Sequence, residues 1–248
     1  MREYVLLYVN GQRHEVAGVR AFQSLSDFLR YDLGLVGTKV VCAEGDCGSC
    51  SVLLGRPSGD RLDYVPVCSC IQFLFQLDCA HIITIEGLKY DDRLNPVQEA
   101  MVRCQGSQCG FCTPGIVVSL CAMFDGCMPA SSDAKQALVG NLCRCTGYEP
   151  IIRAAAETDA KTMRPLNELY PPRELLDDLN QHENEPVLIR AGGKTFFKPH
   201  SLSQAAQFKV ENPDCVIVSG GTDIGVQINK GIRQPKTVMA MSGLPMLH

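Results

Sequence analysis

The chain of 248 residues is long enough for two or three small domains. Its hydrophobic content of 46% and charged content of 20% are ordinary for a globular protein. The net charge of −4 gives no support to nucleic-acid binding, which normally needs a basic surface. We expect no membrane partner either, because the apolar run at the N-terminus is too short for a signal peptide or a span.

The fourteen cysteines are the unusual part of the composition, and most of them occur in tight groups. Without an export signal, grouped cysteines indicate reduced metal ligands in the cytoplasm rather than disulfides. Four other cysteines lie in apolar stretches and are interpreted as packing residues: Cys79, Cys121, Cys127 and Cys215. The five histidines are scattered, and we assign none of them a role.

Residues 1–90 have the pattern of a small α+β domain. A β-rich stretch from Tyr4 to Val9 is followed by Asn10-Gly11, which is a strong hairpin signal. A helix is predicted to begin at Ser24, and a second hairpin around residues 57–59 is followed by a last strand at about residues 82–85.

Cys42, Cys47 and Cys50 are separated by gaps of four and two residues, which is the plant-type ferredoxin spacing. The glycines Gly45 and Gly48 suit a loop that curls tightly around a cluster and turns backbone N–H groups toward sulfur. A fourth ligand must come from later in the chain, and both Cys68 and Cys70 qualify by position.

A second set of cysteines lies in residues 91–158, which have the pattern of a small helical domain. The pair Cys109 and Cys112 and the pair Cys143 and Cys145 are separated by a helix-length stretch. Two close pairs can converge on one metal ion or one iron–sulfur cluster.

The local sequence places these pairs beside helix ends. Thr113 is predicted to cap a helix in which Pro114 is the first residue, and Ser132 or Asp133 is predicted to open another. Cys104 also repeats the four-and-two spacing with Cys109 and Cys112, so it competes with one of the later cysteines.

The remainder of the chain divides into two parts. Residues 159–190 are polar and contain several prolines, which is typical of an interdomain linker. In residues 191–248, a buried strand at Cys215–Ser219 leads through Gly220-Gly221 into a helix. A strand, two glycines and a helix start can form an anion cradle, but the third glycine of the dinucleotide fingerprint is missing.

The order of these motifs resembles the molybdenum hydroxylases, the family of xanthine dehydrogenases and aldehyde oxidases. The resemblance covers Tyr4 to about Glu157 and rests on the two cysteine sets, with Ser107-Gln-Cys-Gly-Phe-Cys-Thr-Pro-Gly115 and Cys143-Arg-Cys-Thr-Gly-Tyr148. Residues 217–225, with Asn229-Lys230, are similar to the first FAD-binding stretch of the family. Two iron–sulfur domains followed by a flavin domain on one chain resembles the small subunit of some bacterial members of this family, whereas other members lack the flavin domain or have it on a separate chain.

The resemblance implies an α+β fold: a β-grasp plant-type ferredoxin-like domain, an all-α four-helix [2Fe–2S] domain, and the start of an α+β PCMH-type FAD-binding domain. It implies an oxidoreductase subunit with two [2Fe–2S] clusters and FAD. Electrons would come from a molybdopterin-binding large subunit and continue to NAD or another acceptor.

The same resemblance implies the site residues. The cluster ligands would be the following eight cysteines: Cys42, Cys47, Cys50, Cys70, Cys109, Cys112, Cys143 and Cys145. The FAD-binding residues would be Ile217, Val218, Ser219, Gly220, Gly221, Thr222, Asp223 and Ile224. Gln108 and Cys145 would lie near the molybdopterin of the partner.

Two other interpretations are weighed against this one. A non-catalytic module could bind zinc through the same cysteines, and a relic of the family could fold its iron–sulfur part without carrying electrons. We expect the 58 residues from 191 to 248 to be too few to bury FAD, so that this chain retains little or none of it.

Overall fold

The computed structural model describes residues 1–128 and 133–244. In chain order its strands are β1 (Tyr4–Val9), β2 (Gln12–Ala17), β3 (Ser51–Ser58), β4 (Arg61–Cys68), β5 (Ala80–Ile83), β6 (Val187–Ala191), β7 (Lys194–Lys198), β8 (Val216–Val218) and β9 (Thr237–Ala240). Its helices are α1 (Leu25–Asp27, continued by a π-helical turn over Phe28–Asp32), α2 (Pro96–Arg103), α3 (Thr113–Phe124), α4 (Ala134–Ala137), α5 (Glu149–Ala156), α6 (Leu166–Leu169), α7 (Pro172–Glu183), α8 (Leu202–Glu211) and α9 (Thr222–Asn229).

The first five strands form one sheet in the order β2-β1-β5-β3-β4. The predicted hairpin is present, because β1 pairs antiparallel with β2 and both Asn10 and Gly11 have positive φ at the turn. The pairing of β1 with β5 is parallel, and β3 pairs antiparallel with both β4 and β5. The long loop between the π-helical turn and β3 carries Cys42, Cys47 and Cys50.

The central strands of this sheet are buried on both faces, which explains the continuous apolar run in β1. Leu6 and Leu53 point into a core shared with the helical domain and α7. Val5 and Leu7 point into a second core that contains α1 and the C-terminal part of the chain. Strands covered on both faces need apolar residues at every position rather than at alternate ones.

The described residues between 91 and 158, which exclude 129–132, contain the four helices α2, α3, α4 and α5. Asn95 opens α2 with a capping box, in which its side chain accepts a hydrogen bond from Gln98 N–H at 2.9 Å and its own N–H donates to Gln98 Oε1 at 2.9 Å. The prediction that Thr113 caps the next helix is wrong, because the cap of α3 is Cys112 and the Thr113 hydroxyl donates to Ser107 Oγ instead.

The next helix in this domain, α4, begins where one of the two predicted caps lies. Asp133 caps α4 by accepting a hydrogen bond from Gln136 N–H at 2.9 Å. The alternative cap, Ser132, lies outside the described residues, as do the last four residues of the predicted segment 191–248.

The segment predicted as a linker, residues 159–190, contains α6, α7 and the beginning of β6. Leu175, Leu176 and Leu179 are buried in the core that the first sheet shares with the helical domain. The segment is polar because the other faces of α7 are exposed, so its composition hides an amphipathic helix.

The last four strands form a second sheet in the order β6-β7-β9-β8, with α8 and α9 in its crossover connections. The strand predicted at Cys215–Ser219 is shorter, spans Val216–Val218, and lies at an edge with Ile217 51% exposed. Phe196 and Val238 pack in the same core as Val5 and Leu7 of the first sheet. The C-terminal part therefore folds against the ferredoxin-like domain.

A buried cluster of charged side chains links the ferredoxin-like domain to the C-terminal part of the chain. Asp78 accepts a bidentate pair of hydrogen bonds from Arg2, both 2.9 Å, and a third from Lys198 Nζ at 2.8 Å. The Arg2 backbone also bonds to Pro186 O and Leu188 N–H, which extends the second sheet toward β1.

The α+β fold class predicted from the sequence is confirmed, with a ferredoxin-like sheet, a helical domain and a third mixed part. Within residues 1–128 and 133–244, no helix has both the length and the apolar character needed to cross a membrane.

Candidate iron–sulfur and flavin sites

The first cysteine set is brought together by the loop before β3 and the end of β4. Cys47, Cys50 and Cys70 are buried and Cys42 is half-buried. The thiols of Cys42 and Cys47 contact each other, and the thiol of Cys50 contacts those of both Cys68 and Cys70.

Backbone N–H groups point at the first cysteines of this loop. Burial favours the neutral thiol of Cys42, but N–H groups of Glu44, Cys47 and Asp46 outweigh burial and lower the pKa of Cys42 below its ordinary value. Contacts with Cys68 and Cys70 lower the pKa of Cys50 to about 3. These surroundings favour the thiolate at Cys42 and Cys50, and the thiolate is the form of cysteine that binds iron.

The N–H and the carbonyl oxygen of Gly45 distinguish Cys70 from Cys68. Contact with Cys50 and burial raise the pKa of Cys70, while the N–H of Gly45 acts in the opposite direction. Contact with Cys50 and burial also raise the pKa of Cys68, whose thiol donates to the Gly45 carbonyl oxygen at 3.5 Å. A thiolate is stabilised by an N–H and repelled by a carbonyl oxygen, which favours Cys70 as the ligand.

The second cysteine set forms two pairs that cross between the two loops. The Cys109 thiol contacts the Cys145 thiol, and the Cys112 thiol contacts the Cys143 thiol. Burial and contact with Cys143 raise the pKa of Cys112 to about 12. Cys109 and Cys145 are exposed, whereas Cys143 is buried.

Tyr148 and Thr146 hold the loop around Cys143. The Tyr148 hydroxyl accepts a hydrogen bond from Cys143 N–H and donates one to Asn141 O, both 2.8 Å. The Thr146 hydroxyl lies 3.2 Å from Cys143 Sγ. Tyr148 itself has φ +68°, which is unfavourable for a bulky side chain, so the surrounding bonds fix the turn. The sequence motif does not indicate these hydrogen bonds of the Tyr148 hydroxyl.

Cys104 lies away from this second set, although its spacing had made it a competitor. It ends α2 and is 4% exposed, and contacts with Cys104 and Arg103 hold the pKa of Glu157 below its ordinary range. The Cys104 thiol therefore contacts a carboxylate at the C-terminal end of α5.

The two cysteine loops are in direct contact. The N–H of Leu142 donates to Cys47 O at 2.9 Å, and the Asn141 side chain donates to Gly48 O at 3.1 Å. Gly48 has no room for a side chain, because a Cβ there would meet Gly140 and Asn141. The spacing of the cysteines in the sequence does not indicate either hydrogen bond.

Within the residues that the structure describes, no three His, Cys, Asp or Glu side chains converge as ligands of a single metal ion. The thiols instead approach in pairs, with Cys42 beside Cys47, Cys50 beside Cys70, Cys109 beside Cys145, and Cys112 beside Cys143. A [2Fe–2S] cluster contains two irons, and its four protein ligands are thiolates. The four pairs fit two such clusters.

The predicted anion cradle lies between β8 and α9. Gly221 caps α9 with φ +74°, and a side chain there would collide with Gln76 of the ferredoxin-like domain. Val218 and Ile224 are buried and anchor the turn, while Ser219, Gly220, Thr222 and Asp223 are exposed. The free N–H groups at the start of α9 therefore remain accessible to a phosphate, which fits the cradle predicted for FAD.

A cavity of about 540 Å³ adjoins the cradle, with Arg56, Lys198, Ser219 and Ser242 among its lining residues. The middle of α9 packs beside the first cysteine set, since a side chain at Gly225 would collide with the carbonyl oxygen of Ile71, the residue after Cys70. The cradle and the first cysteine set are thus connected by one short helix.

Three family models match successive parts of the chain. Residues 7–72 match a 2Fe-2S iron-sulfur cluster binding domain, and residues 84–156 match a [2Fe-2S] binding domain. Residues 191–248 match the FAD binding domain in molybdopterin dehydrogenase. The three matches follow the order predicted from the sequence.

Curated relatives include xanthine dehydrogenase 1 of Arabidopsis thaliana, 31% identical over 98% of this chain, and human aldehyde oxidase, 30% identical over 93%. The chain spans 22% and 21% of the length of these two relatives.

Solved structures similar to the chain include quinoline 2-oxidoreductase from Pseudomonas putida 86 and aldehyde oxidoreductase from Desulfovibrio gigas. The first is 35% identical with a TM-score of 0.54, and the match covers 65% of this chain and 95% of that one. The second is 37% identical with a TM-score of 0.53, covering 67% of this chain and 18% of that one. The chain therefore belongs to the molybdenum hydroxylases, as a part that carries their two [2Fe–2S] domains and residues of their FAD-binding domain.

Proposed function

We propose that the chain is the electron-transfer part of a xanthine dehydrogenase-like molybdenum hydroxylase. It would work with a molybdopterin-binding partner chain and carry electrons toward FAD and then NAD or another acceptor. The observation that supports this most directly is the bonding of the two cysteine loops to each other, from Leu142 N–H to Cys47 O. A relay needs its two centres close together and rigidly held, and this contact serves both requirements.

The proposed ligands of the first cluster are Cys42, Cys47, Cys50 and Cys70, and those of the second are Cys109, Cys112, Cys143 and Cys145. When bound, [2Fe–2S] clusters accept and release single electrons, and FAD exchanges these for the electron pair of a hydride. The chain's own residues would hold the thiolates in pairs, direct backbone N–H groups at them, and shield most of the first set from water.

The exposed face of the second set is the proposed side for the partner chain. Cys109 and Cys145 are exposed here, and Gln108 lies in the same loop as Cys109. Phe111 and Leu142 add exposed apolar surface beside them. Exposed aromatic and aliphatic side chains around a functional loop are typical of a surface that a partner covers. A molybdenum-containing chain should co-purify with the wild-type chain and not with Phe111→Asp.

The proposed FAD contacts are residues 217–224, with the phosphates at the start of α9. Gly220 and Gly221 would let the backbone approach the phosphates closely. Little or no retained FAD stays a prediction, and fluorescence of flavin released by denaturation measures it. We also propose a cytoplasmic location, which is supported by fourteen cysteines that are all free thiols in the structure.

Metal analysis of the purified chain tests the central proposal. We expect about four irons and as many acid-labile sulfides per chain, a red-brown colour, and two distinct electron spin resonance signals after reduction. A colourless chain with stoichiometric zinc would support the metal-binding module instead. Two irons and one signal would show that only one of the two cysteine sets holds a cluster.

A further inference from the structure

Helix α9 packs against the first cysteine set through Gly225, Val226 and Asn229. Gly225 lies directly on the backbone of Ile71, where any side chain would collide. Val226 packs against the apolar group formed by Cys50, Cys70 and Ile71. The helix that begins at the proposed flavin cradle therefore also forms one wall of the first cluster site.

Asn229, the last residue of α9, joins two separate segments of that site. Its side-chain amide donates to Ala43 O at 2.8 Å and to Cys70 O at 2.8 Å. Ala43 directly follows the proposed ligand Cys42, and Cys70 is itself a proposed ligand. One amide group thus holds together the chain segments that bring one ligand to each of the two thiol pairs.

The segment at Ala43 needs such support. Ala43 has φ +54°, a left-handed conformation that is unfavourable for a residue with a Cβ. The next residue, Glu44, forms an ion pair with Lys230, which follows Asn229. Contacts from outside the loop thus stabilise the turn, and they come from two consecutive residues at the end of α9.

We propose that Asn229 is a positioning residue for the first [2Fe–2S] cluster, which makes the FAD-type segment a structural part of that cluster's site. The inference rests on the proposed cluster ligands, but it does not depend on flavin. Without the amide, the carbonyl oxygens of Ala43 and Cys70 lose their donor, and the Cys42 and Cys70 segments can separate. Water and chelators would then reach the first cluster more easily.

The experiment compares cluster loss from the purified cluster-containing chain and from its variants. An iron chelator is added, absorbance follows iron release, and spin resonance of reduced samples shows which cluster remains. We expect Asn229→Ala to lose the first cluster about tenfold faster, because two hydrogen bonds are removed. Asn229→Asp should be faster still, since a carboxylate repels both carbonyl oxygens and lies near Glu44.

The control is Gln227→Ala on the same helix. Gln227 is also an amide, but it donates to Asp223 rather than to the cysteine loop. This variant should lose both clusters at the wild-type rates. The second cluster should also be unaffected in both Asn229 variants, and its signal reports that the chain is folded.

Three outcomes would overturn the inference. The first is wild-type rates for the first cluster in both Asn229 variants. The second is an equal acceleration for both clusters, which would mean a general loss of stability. The third is an Asn229→Ala chain that does not fold. If the wild-type chain contains no iron–sulfur clusters at all, it is the proposed function that fails.

Discussion

The N–H of Leu142 donates a hydrogen bond of 2.9 Å to the carbonyl oxygen of Cys47. Leu142 precedes Cys143, so the bond connects a proposed ligand of the first cluster with the neighbour of a proposed ligand of the second. The Asn141 side chain repeats the link one residue earlier, at Gly48 O. Two domains with different folds therefore share one junction, and the relative position of their two cysteine sets depends on it.

Replacement of Gly48 by alanine should disrupt this junction. A Cβ at Gly48 would lie 2.6 Å from Asn141 Nδ2 and closer still to Gly140 O, and φ is +66°. We expect the free energy of unfolding to fall by about 3 kcal/mol or more, since a steric clash adds to the cost of the left-handed conformation. Denaturant titration measures this change.

Gly59 provides the matched control for Gly48. It has φ +64° at the turn between β3 and β4, but nothing lies within 4 Å of the position of its Cβ. Gly59→Ala should therefore cost only about 1–2 kcal/mol, from backbone conformation alone. Equal losses in the two variants would show that close packing at the junction is unimportant.

Replacement of Cys70 by serine should remove the first cluster, and replacement of Cys68 should leave it in place. The reason is the direction of the hydrogen bonds at Gly45, whose N–H faces Cys70 and whose carbonyl oxygen faces Cys68. Iron content should fall from about four to about two per chain only for Cys70→Ser. The reverse result would identify Cys68 as the ligand.

Cys104→Ala should leave the second cluster intact, whereas Cys143→Ala should abolish it. Cys104 is buried at the end of α2 and contacts Glu157, and Cys143 contacts Cys112. Spin resonance of the reduced chain distinguishes the two clusters and provides the measurement. Loss of the second signal in Cys104→Ala would support the competing four-and-two assignment with Cys109 and Cys112.

Tyr148→Phe should weaken the second cluster site without affecting the first. The variant leaves Cys143 N–H and Asn141 O without their shared partner, which should cost about 1–3 kcal/mol. Chelator release from the second cluster should be faster than in the wild type. The control Tyr31→Phe, at a residue that is 77% exposed, should behave as the wild type. Identical release from both tyrosine variants would count against this role of Tyr148.

The local parts of this architecture could be predicted from the sequence, and the long-range contacts could not. The spacing of Cys42, Cys47 and Cys50 is a property of one loop, so a short stretch of chain contains the whole signal. The bonds from Asn229 to Ala43 and Cys70 join distant positions, and no spacing indicates them.

The segment predicted as a linker, residues 159–190, is the opposite case, because its sequence does contain the pattern of a helix. Leu175, Leu176 and Leu179 have helical spacing within a polar stretch. These few apolar residues are outnumbered by polar ones, so the composition of the stretch does not reveal the helix. A helix that buries only one narrow face can have the composition of a linker.

His81 gives the fold a pH dependence of its own. The side chain is fully buried. Its Nε2 atom accepts a hydrogen bond of 3.1 Å from Gly11 N–H, and its Nδ1 atom lies 2.8 Å from the Tyr64 hydroxyl oxygen. Because Gly11 N–H occupies Nε2, the proton of the neutral ring lies on Nδ1 and is donated to Tyr64. Burial lowers the pKa of His81 from 6.5 to about 3.

The sign of the effect follows from proton binding in the two states. Below pH 6.5 the unfolded chain binds a proton at His81 and the folded chain does not, so acid favours unfolding. As far as His81 is concerned, the free energy of unfolding is highest above pH 6.5 and declines progressively as the pH falls toward about 3. One proton corresponds to about 1.4 kcal/mol per pH unit, so we expect the free energy of unfolding to be roughly 2 kcal/mol lower at pH 5 than at pH 7.

Denaturant titrations at several pH values, with His81→Gln as the comparison, test this expectation. Glutamine can still accept from Gly11 and donate to Tyr64, but it does not titrate. The variant should therefore lose most of the decline between pH 7 and pH 5. Asp78 should not add to the decline between pH 7 and pH 5. Arg2 and Lys198 outweigh burial and hold the pKa of its carboxylate below the ordinary value. The stabilisation by this ionised carboxylate is therefore lost only in more acidic solution. A decline of the same slope in wild type and variant would show that His81 is not its source.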